Sequence, residues 1–254
     1  MRTTVLATLV TSALFAIPTL AADAPAPEYT FSGNVAVTSD YVFRGITQTN
    51  HHAAIQGGLD YAHQSGFYAG LWGSSISWLA DQGSGSYPTE VDVYGGYKGS
   101  IVDGVGYDVG VLSYYYPGTR NPGVSSPNTT ELYAGLSYQW ASFKYSRSTG
   151  NLFGWAGSNG ANTHGSSYYD LTLAPTIAED WTLQAHLGRQ TVAHRKSASY
   201  TDWRLGVSKD VGFGTLSLSY TDTNAEGDVG QDYRNAFGKD MGKQQVAVTF
   251  SKTL

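Results

Sequence analysis

The segment from Tyr29 to Gly45 reads YTFSGNVAVTSDYVFRG and carries the pattern from which the fold class is predicted. Its odd-numbered positions are mainly aromatic, aliphatic or small, whereas the positions between them are mainly polar. Successive side chains of a β-strand point to opposite faces, so the segment predicts a strand with one apolar and one polar face. Aromatic residues stand at both ends of the apolar face, as in a strand that crosses a bilayer. We therefore interpret residues 29–45 as one membrane-spanning strand.

Composition narrows the class of protein further. The chain has 254 residues, with 31 Gly, 19 Tyr and no Cys. Its net charge is −5, and the sequence shows no basic patch that would suggest a nucleic-acid partner. After residue 21 no apolar run approaches the roughly 20 residues that a membrane-spanning helix needs. A helical membrane protein is therefore excluded, but a barrel whose strands are half polar is not.

The first residues have the features of an export signal. Arg2 provides a positive start, an apolar stretch follows, and small residues stand near Ala21 and Ala22. This pattern predicts a signal peptide over residues 1–22, cleaved after about Ala21 or Ala22. Residues 23–254 would then form the mature domain in the cell outer membrane.

Eleven further segments alternate in the same way, and the spacing between them is uneven. Long polar connections follow every odd-numbered segment, and short turns follow the even-numbered ones. Outer-membrane barrels have an even number of strands, short periplasmic turns and long outer loops. The sequence therefore predicts an all-β, transmembrane, antiparallel up-and-down β-barrel of 12 strands. The predicted strands are 29–45, 53–62, 67–79, 90–98, 106–116, 129–140, 142–148, 167–176, 181–191, 201–209, 215–223 and 244–254. The register of 67–79 stays open, because that segment is apolar on both faces.

This barrel gives the first strand a direction. Tyr29 and Phe31 are expected at the periplasmic interface, and Tyr41 and Phe43 at the outer one. Asp40 and Arg44 would face the lumen near its outer mouth, close enough to pair. On the lipid-facing side, the few charges stand near strand ends, where they cost little free energy. Among them, Arg147 and Arg189 fall at the outer end, where lipopolysaccharide would contact them together with the other lipids of the outer membrane.

The inward face carries most of the charged residues of the strands. Eight acids and four bases share this face, which predicts a lumen with a net charge of about −4. The acids and bases either pair and brace the wall, or the excess of acid favours cations, and both can hold. The pore-lining candidates are Asp40, Arg44, Glu90, Asp92, Asp108, Glu131, Lys144, Asp170, His186 and Arg204, and Asp60, Lys98 and Asp202 share their face.

A search for catalytic residues gives no enzyme signature. His186 is the one histidine on a predicted strand with its side chain inward, and no serine motif accompanies it. No metal or cofactor motif is present either. Twelve-stranded barrels do include a lipid-active enzyme, so that function remains an alternative. Another is a surface-binding or adhesion protein that uses the aromatic outer loops around Trp155 and Tyr233.

Two stretches near the start of the mature chain resemble a known family. SDYVFRGITQT at 39–49 and AIQGGLDYAHQSGFYAGLWGSSISW at 54–78 are similar to the bacterial Gcw_chp family, also called TorF-family porins. The resemblance implies an outer-membrane, porin-like protein and brings no assigned site residues. With the lumen charges, it leads us to expect a narrow, weakly cation-favouring passive channel for ions or small solutes. The sequence is compatible with a monomer or a homo-oligomer.

Overall fold

The computed structural model describes residues 27–254, and the predicted signal peptide lies outside them. Twelve antiparallel strands follow each other in chain order, and β1 pairs with both β2 and β12, which closes the barrel. The predicted fold class is therefore confirmed. The strands are β1 (Tyr29–Thr38), β2 (Ala54–His63), β3 (Phe67–Ser75), β4 (Thr89–Val102), β5 (Val105–Tyr115), β6 (Thr129–Tyr138), β7 (Ala141–Ser148), β8 (Ser167–Leu173), β9 (Trp181–Thr191), β10 (Tyr200–Asp210), β11 (Thr215–Thr223) and β12 (Gln245–Thr253).

Several short elements complete the described chain. A three-residue strand, Thr176–Ala178, extends the pairing along β9 after the break at Pro175. One helical turn spans Trp78–Asp81, and none of the helices in residues 27–254 is long and apolar enough to cross a membrane. The remaining pieces are the paired strands Gly85–Ser86 and Thr119–Arg120 and the 3₁₀ turns Leu152–Gly154, Ser158–Gly160 and Lys196–Ala198.

The period-two pattern predicts the two faces of the wall correctly. Apolar side chains of the pattern lie on the outside, where Phe31 is 74 % and Ile55 is 73 % exposed. Their polar neighbours point inward, where Glu131 and Asp202 are each 1 % exposed. An apolar exterior around a polar interior is the arrangement of a barrel that faces lipid.

Aromatic rings collect at both rims of the exterior. At the end with the chain termini, Phe31 lies 5.2 Å from Tyr61 between ring centroids. At the opposite end, Tyr145 lies 5.0 Å from Tyr169. The long connections all leave from this second end, which we call the loop end, and the short turns lie at the first, the turn end.

The first strand is shorter than predicted. β1 ends at Thr38, and residues 40–50 then fold into the lumen around a hairpin in which Val42–Phe43 pairs with Ile46–Thr47. The connecting residues Arg44 and Gly45 have φ values of 47° and 80°, as a two-residue hairpin turn of the primed type requires. The prediction of one strand over 29–45 was therefore wrong, because alternation cannot distinguish a strand that continues in the wall from one that turns inward.

Asp40 holds the base of this inner hairpin. Its Oδ1 accepts hydrogen bonds from the hydroxyls of Thr47 (2.5 Å) and Thr49 (3.0 Å), and its Oδ2 lies 3.0 Å from Nδ1 of His51. The expected pairing of Asp40 with Arg44 does not occur. The carboxylate satisfies its own hairpin, and the side chain of Arg44 crosses the lumen instead.

Tyr41 and Phe43 do not lie at the lipid interface, where the sequence placed them. Tyr41 is 4 % exposed and its ring lies 5.5 Å from that of Trp72, inside the barrel. Phe43 packs against Tyr114 and Phe153, at 5.7 and 6.0 Å. Aromatic partners in the lumen thus bury the two rings more fully than the bilayer interface would.

The open register of 67–79 has a similar explanation. β3 ends at Ser75, and the chain then turns inward. Ile76, Trp78 and Leu79 thereby join Tyr41 and the inward-facing Trp72 of β3 in one buried cluster. The segment is apolar on both faces because one face of β3 meets lipid while its continuation enters the lumen.

Candidate functional site

The lumen contains a cavity of about 490 Å³, which we call the vestibule. Near the turn end its lining includes Thr30, Ser32 and Thr253, and it extends to the tip of the inner hairpin at Phe43 and Arg44. A second cavity of about 60 Å³ lies on the other side of the same two residues, among the loops. The hairpin tip therefore separates the vestibule from the loop end of the barrel.

Tyrosines and carboxylates form one wall of the vestibule. The phenol of Tyr68 donates to Oδ1 of Asp108 at 2.6 Å and also hydrogen-bonds to the phenol of Tyr133. Across the wall, Tyr94 donates to Oδ1 of Asp60 at 2.5 Å. These bonds give the carboxylates hydrogen-bond donors and hold the phenol rings in place.

Two lysines lie over the same rings. The ammonium of Lys98 is 5.6 Å from the ring centroid of Tyr68, and that of Lys144 is 5.6 Å from the ring centroid of Tyr133. In the strand register, Lys98 is opposite Asp108 and Lys144 is opposite Asp170. Alternating charges on neighbouring strands stabilise the wall and leave both signs facing the water.

His186 lies between two carboxylates on the opposite wall. Its Nδ1 is 3.2 Å from Oδ1 of Asp170, and its Nε2 is 3.0 Å from Oδ1 of Asp202. The phenol of Tyr168 completes the group at 3.0 Å from Nε2 and donates to Asp202. Arg204 stands opposite His186 in the register of β9 and β10 and also lines the vestibule.

Arg44 closes the head of the vestibule. Its Nη2 lies 2.7 Å from Oε2 of Glu131 and its Nη1 lies 3.0 Å from Oε1, a bidentate ion pair between hairpin and wall. Nη1 also donates to Gln190 at 3.0 Å, and the guanidinium lies 4.3 Å from the ring centroid of Tyr168. The hairpin backbone is held as well, because Tyr200 donates to the carbonyl of Arg44 at 2.8 Å.

Two further acids stand beside this ion pair. Glu90 accepts a hydrogen bond of 3.0 Å from the phenol of Tyr41, so it also fixes the hairpin to the wall. Asp92 lines the vestibule below the hairpin, and its Oδ1 is buried with no hydrogen-bond partner within residues 27–254. Glu90 and Asp92, both on β4, therefore differ in role. Glu90 stabilises the inner hairpin, whereas Asp92 makes no such contact.

The structure brings most of the sequence-predicted residues together. Three of the candidates do not line the vestibule: Asp40 holds the hairpin base, Glu90 lies behind Tyr41, and Glu131 lies behind Arg44. The candidates that line it are Arg44, Asp92, Asp108, Lys144, Asp170, His186 and Arg204.

Selection by charge overlooked the aromatic part of the site. Tyr68, Tyr94, Tyr133 and Tyr168 line the vestibule beside the charged groups. The period-two pattern was sufficient to place Tyr94, Tyr133 and Tyr168 inward, because each shares the phase of a charged residue on its own strand. Tyr68 lies on β3, which has no charged residue, so its direction stayed open in the sequence. The inner hairpin had no comparable signal, since its alternation continues that of β1.

Solved structures with the same fold include porins. The KdgM porin superposes with a TM-score of 0.54 at 7 % identity, covering 87 % of this chain and 97 % of that one. A second structure, the KdgM porin in complex with disordered oligogalacturonate, has a TM-score of 0.53 at 6 % identity and covers 88 % of this chain and 98 % of that one. The NanC porin gives 0.51 at 13 % identity, with coverages of 88 % and 98 %. At these identities the likeness is one of fold.

The closed twelve-stranded wall, its apolar exterior and its charged lumen define the chain as a porin-like β-barrel. A family model described as "bacterial protein of unknown function (Gcw_chp)" matches residues 21–254, so the chain belongs to the Gcw_chp family. The predicted family is thereby confirmed. A search of curated proteins finds no match.

Proposed function

We propose that this protein is an outer-membrane channel that passes ions or small solutes passively through a narrow lumen. The observation that carries the proposal is the vestibule, a polar and charged cavity of about 490 Å³ inside a closed barrel with an apolar exterior. Barrels of intermediate strand number leave room for small ligands or water between filled cores and wide channels. A charged cavity of this size serves transport better than it serves packing.

The inner hairpin sets the width of this channel. The vestibule and the smaller cavity meet at Phe43 and Arg44, so a solute must pass the hairpin tip to cross the barrel. Hydrogen bonds to five strands hold the tip: Tyr114 on β5, Glu131 on β6, Gln190 on β9, Tyr200 on β10, and Gln245 on β12, whose amide donates to the carbonyl of Gly45. Glu90 on β4 holds the hairpin further back, through Tyr41. A constriction anchored in this way favours small unitary currents over free diffusion of large solutes.

A weak preference for cations is the second part of the proposal. Asp60, Asp92, Asp108, Asp170 and Asp202 line the vestibule, against Arg44, Lys98, Lys144 and Arg204. Glu90 and Glu131 add negative charge at its head, where Arg44 balances only one of them. Rings of carboxylates favour cations. The preference is weak because acids and bases alternate around the wall.

We further propose how the barrel sits in the cell. The signal peptide expected over residues 1–22 would direct export, and the loop end would face outward, in line with the general orientation of such barrels. Arg147 and Arg189 lie on the lipid-facing side near that end, and neither forms an ion pair within residues 27–254. Anionic groups of lipopolysaccharide are the partners that suit them.

The alternative functions draw less support from the geometry. Tyr233, expected in a surface-binding loop, is 5 % exposed and donates to the carbonyl of Ala198 at 2.6 Å. Trp155 packs against it at 5.4 Å. His186, the candidate base of an enzyme, has a carboxylate at each ring nitrogen. A general base needs a free nitrogen next to a nucleophile.

Reconstitution tests the proposal. Purified protein refolded into vesicles should release entrapped K⁺ and small neutral solutes and retain large ones. In a KCl gradient the reversal potential should take the sign of a cation-preferring pore. Vesicles that retain K⁺ despite a folded barrel would contradict the channel.

A further inference from the structure

Asp92 is a buried carboxylate that the fold leaves without a partner. It is 8 % exposed, and within residues 27–254 it takes part in no hydrogen bond or ion pair. The guanidinium of Arg44 is already occupied by Glu131, Gln190 and Tyr114. An unpaired carboxylate in an interior site costs several kcal/mol, so buried acids normally have partners. Asp92 therefore either only destabilises the fold or belongs to a site that binds a solute from the vestibule.

Its neighbour on the adjacent strand is unsatisfied too. Trp72 on β3 stands directly opposite Asp92 on β4 in the strand register. Trp72 is 4 % exposed, lines the same vestibule, and its indole Nε1 has no hydrogen-bond acceptor within the described chain. A buried acceptor and a buried donor thus lie side by side at the head of one cavity. Directly opposed residues on one face of a sheet have Cβ atoms about 4.5–5.5 Å apart.

Aromatic residues flank Asp92 on both neighbouring strands. Tyr114 on β5 is opposite Asp92 on its other side, and Tyr41 lies 5.5 Å from Trp72 between ring centroids. Ring faces attract cations, and the attraction grows when water is excluded. The pocket therefore combines one carboxylate, several ring faces and one unused N–H donor.

We propose that the head of the vestibule binds a small organic ammonium compound that also carries an oxygen acceptor, such as an amino alcohol. The ammonium group donates to the Asp92 carboxylate between the rings of Trp72 and Tyr114. The oxygen accepts from Nε1 of Trp72. This inference deepens the proposed channel function, because the solute reaches the site through the lumen.

A bare metal ion fits the site less well. Within residues 27–254 no group of three or more His, Asp or Glu side chains is arranged to hold a metal ion. Mg²⁺ and Ca²⁺ take six or more oxygen ligands. The immediate cross-strand neighbours of Asp92 are the aromatic residues Trp72 and Tyr114. An ammonium group needs only a few acceptors and tolerates ring faces around the rest of its surface.

The indole N–H resonance of Trp72 provides the test. The chain has six tryptophans, so a ¹⁵N–¹H spectrum of protein refolded in micelles shows few indole signals, and Trp72→Phe identifies the relevant one. Ethanolammonium chloride should shift this signal in a saturable way. KCl, which lacks an organic cation, should not shift the signal. Ethylene glycol, which has no cation, should not shift it either. Ethylammonium, which lacks the oxygen, should bind with lower affinity.

Asp92→Asn is the decisive variant, since it keeps the shape and removes the charge. A hydrogen bond to a charged group contributes about 1.5–3 kcal/mol, so the affinity for ethanolammonium should fall about tenfold or more. Asp103→Asn is the control, because it removes the same charge from an exposed residue in the turn between β4 and β5, outside the vestibule lining. Its affinity should match that of the wild type.

The outcomes separate this site from the channel. Equal affinity in Asp92→Asn and the wild type, no shift in the wild type, or an equal shift with KCl or ethylene glycol would overturn the site. Heat-dependent gel mobility shows whether each variant is folded, and Tyr114→Leu provides a second variant that should also weaken binding if Asp92→Asn does not refold. Binding of ethanolammonium without conductance would support the site and refute the channel. Conductance without binding would support the channel and refute the site.

Discussion

Arg44, at the tip of a hairpin inside the barrel, forms a bidentate ion pair with Glu131 on the wall through two hydrogen bonds of 2.7 and 3.0 Å. The side chains are 7 % and 1 % exposed, so the pair lies in the interior, away from bulk water. Residues 87 positions apart in the sequence thereby fix the constriction of the proposed channel.

Glu131→Gln should loosen this constriction. Removing one partner of a buried ion pair leaves the other charge uncompensated, at a cost of about 3–5 kcal/mol. The free energy of unfolding in lipid vesicles, followed by tryptophan emission in urea, should fall by about this amount. Single-channel currents should become noisier or larger. Glu179→Gln, at an exposed residue near the turn end, should change neither quantity.

Position 45 requires glycine for two reasons, its positive φ and the lack of space for a Cβ atom. Its φ is 80°, and a Cβ there would lie 2.6 Å from the Cβ of Asp202. Gly230 has a similar φ of 84° with no atom within 4 Å of its hypothetical Cβ, so it is a matched control. Gly230→Ala should cost only the conformational term of about 1–2 kcal/mol. Gly45→Ala should cost more, and equal losses in the urea unfolding of the two variants would contradict the close packing of the hairpin.

Acid should release a contact between the outer loops. Arg195 donates to Oδ1 of Asp232 from Nε at 3.1 Å and lies 5.2 Å from the ring centroid of Trp155. Burial would raise the pKa of Asp232, but hydrogen bonds from Arg195 and Ser197 outweigh it and hold this pKa below its usual value. The stabilisation is therefore present above the unfolded-state pKa of about 4 and is lost as the pH falls through the lower folded value.

Trp155 reports on this change. Its emission, taken as the difference between wild type and Trp155→Phe, should stay constant from neutral pH down to about 4 and then change. Asp232→Asn should show the acid form of the signal at every pH. A signal in the wild type that changes near neutral pH would point to another group.

Two arginines should strengthen the contact with lipopolysaccharide. A basic residue near an anionic membrane surface contributes about 1 kcal/mol, or about fivefold in affinity. Arg147→Gln and Arg189→Gln should each weaken binding of lipopolysaccharide to protein in neutral micelles by that factor. Lys209→Gln and Lys252→Gln, near the turn end, are the controls and should have no effect. Equal losses in both pairs would show that overall charge, rather than position, determines binding.

The wall of the barrel could be predicted from the sequence, because lipid outside and water inside impose a period of two. Residues such as Leu59 and Asp60, neighbours on β2, take opposite faces as the pattern requires. The alternation of long and short connections was equally informative.

The interior of the loop end could not be predicted in the same way. Tyr41 and Phe43 keep the phase of β1 but turn into the lumen, where Trp72, Tyr114 and Phe153 receive them. Those partners come from distant parts of the chain, so a local pattern carries no sign of the contact. The pairing of Arg44 with Glu131 instead of Asp40 has the same cause.

The role of Asp92 also depends on what surrounds it. In the sequence it is one of eight equivalent inward acids, whereas in the structure its neighbours Glu90 and Glu131 have partners and it has none. Only three-dimensional contacts could separate these three carboxylates.

Planar-bilayer recording of the wild type beside a variant without the inner hairpin tests the central claim most directly. Thr38 and Ala54 are partners in the register of β1 and β2, so an Asn-Gly turn can replace residues 39–53 without a register shift. Deletion of residues 122–125, in the loop between β5 and β6, is the control. The account predicts small discrete current steps in the wild type and the control, and clearly larger steps in the hairpin variant. Folded barrels that never conduct, or equal steps in all three proteins, would contradict it.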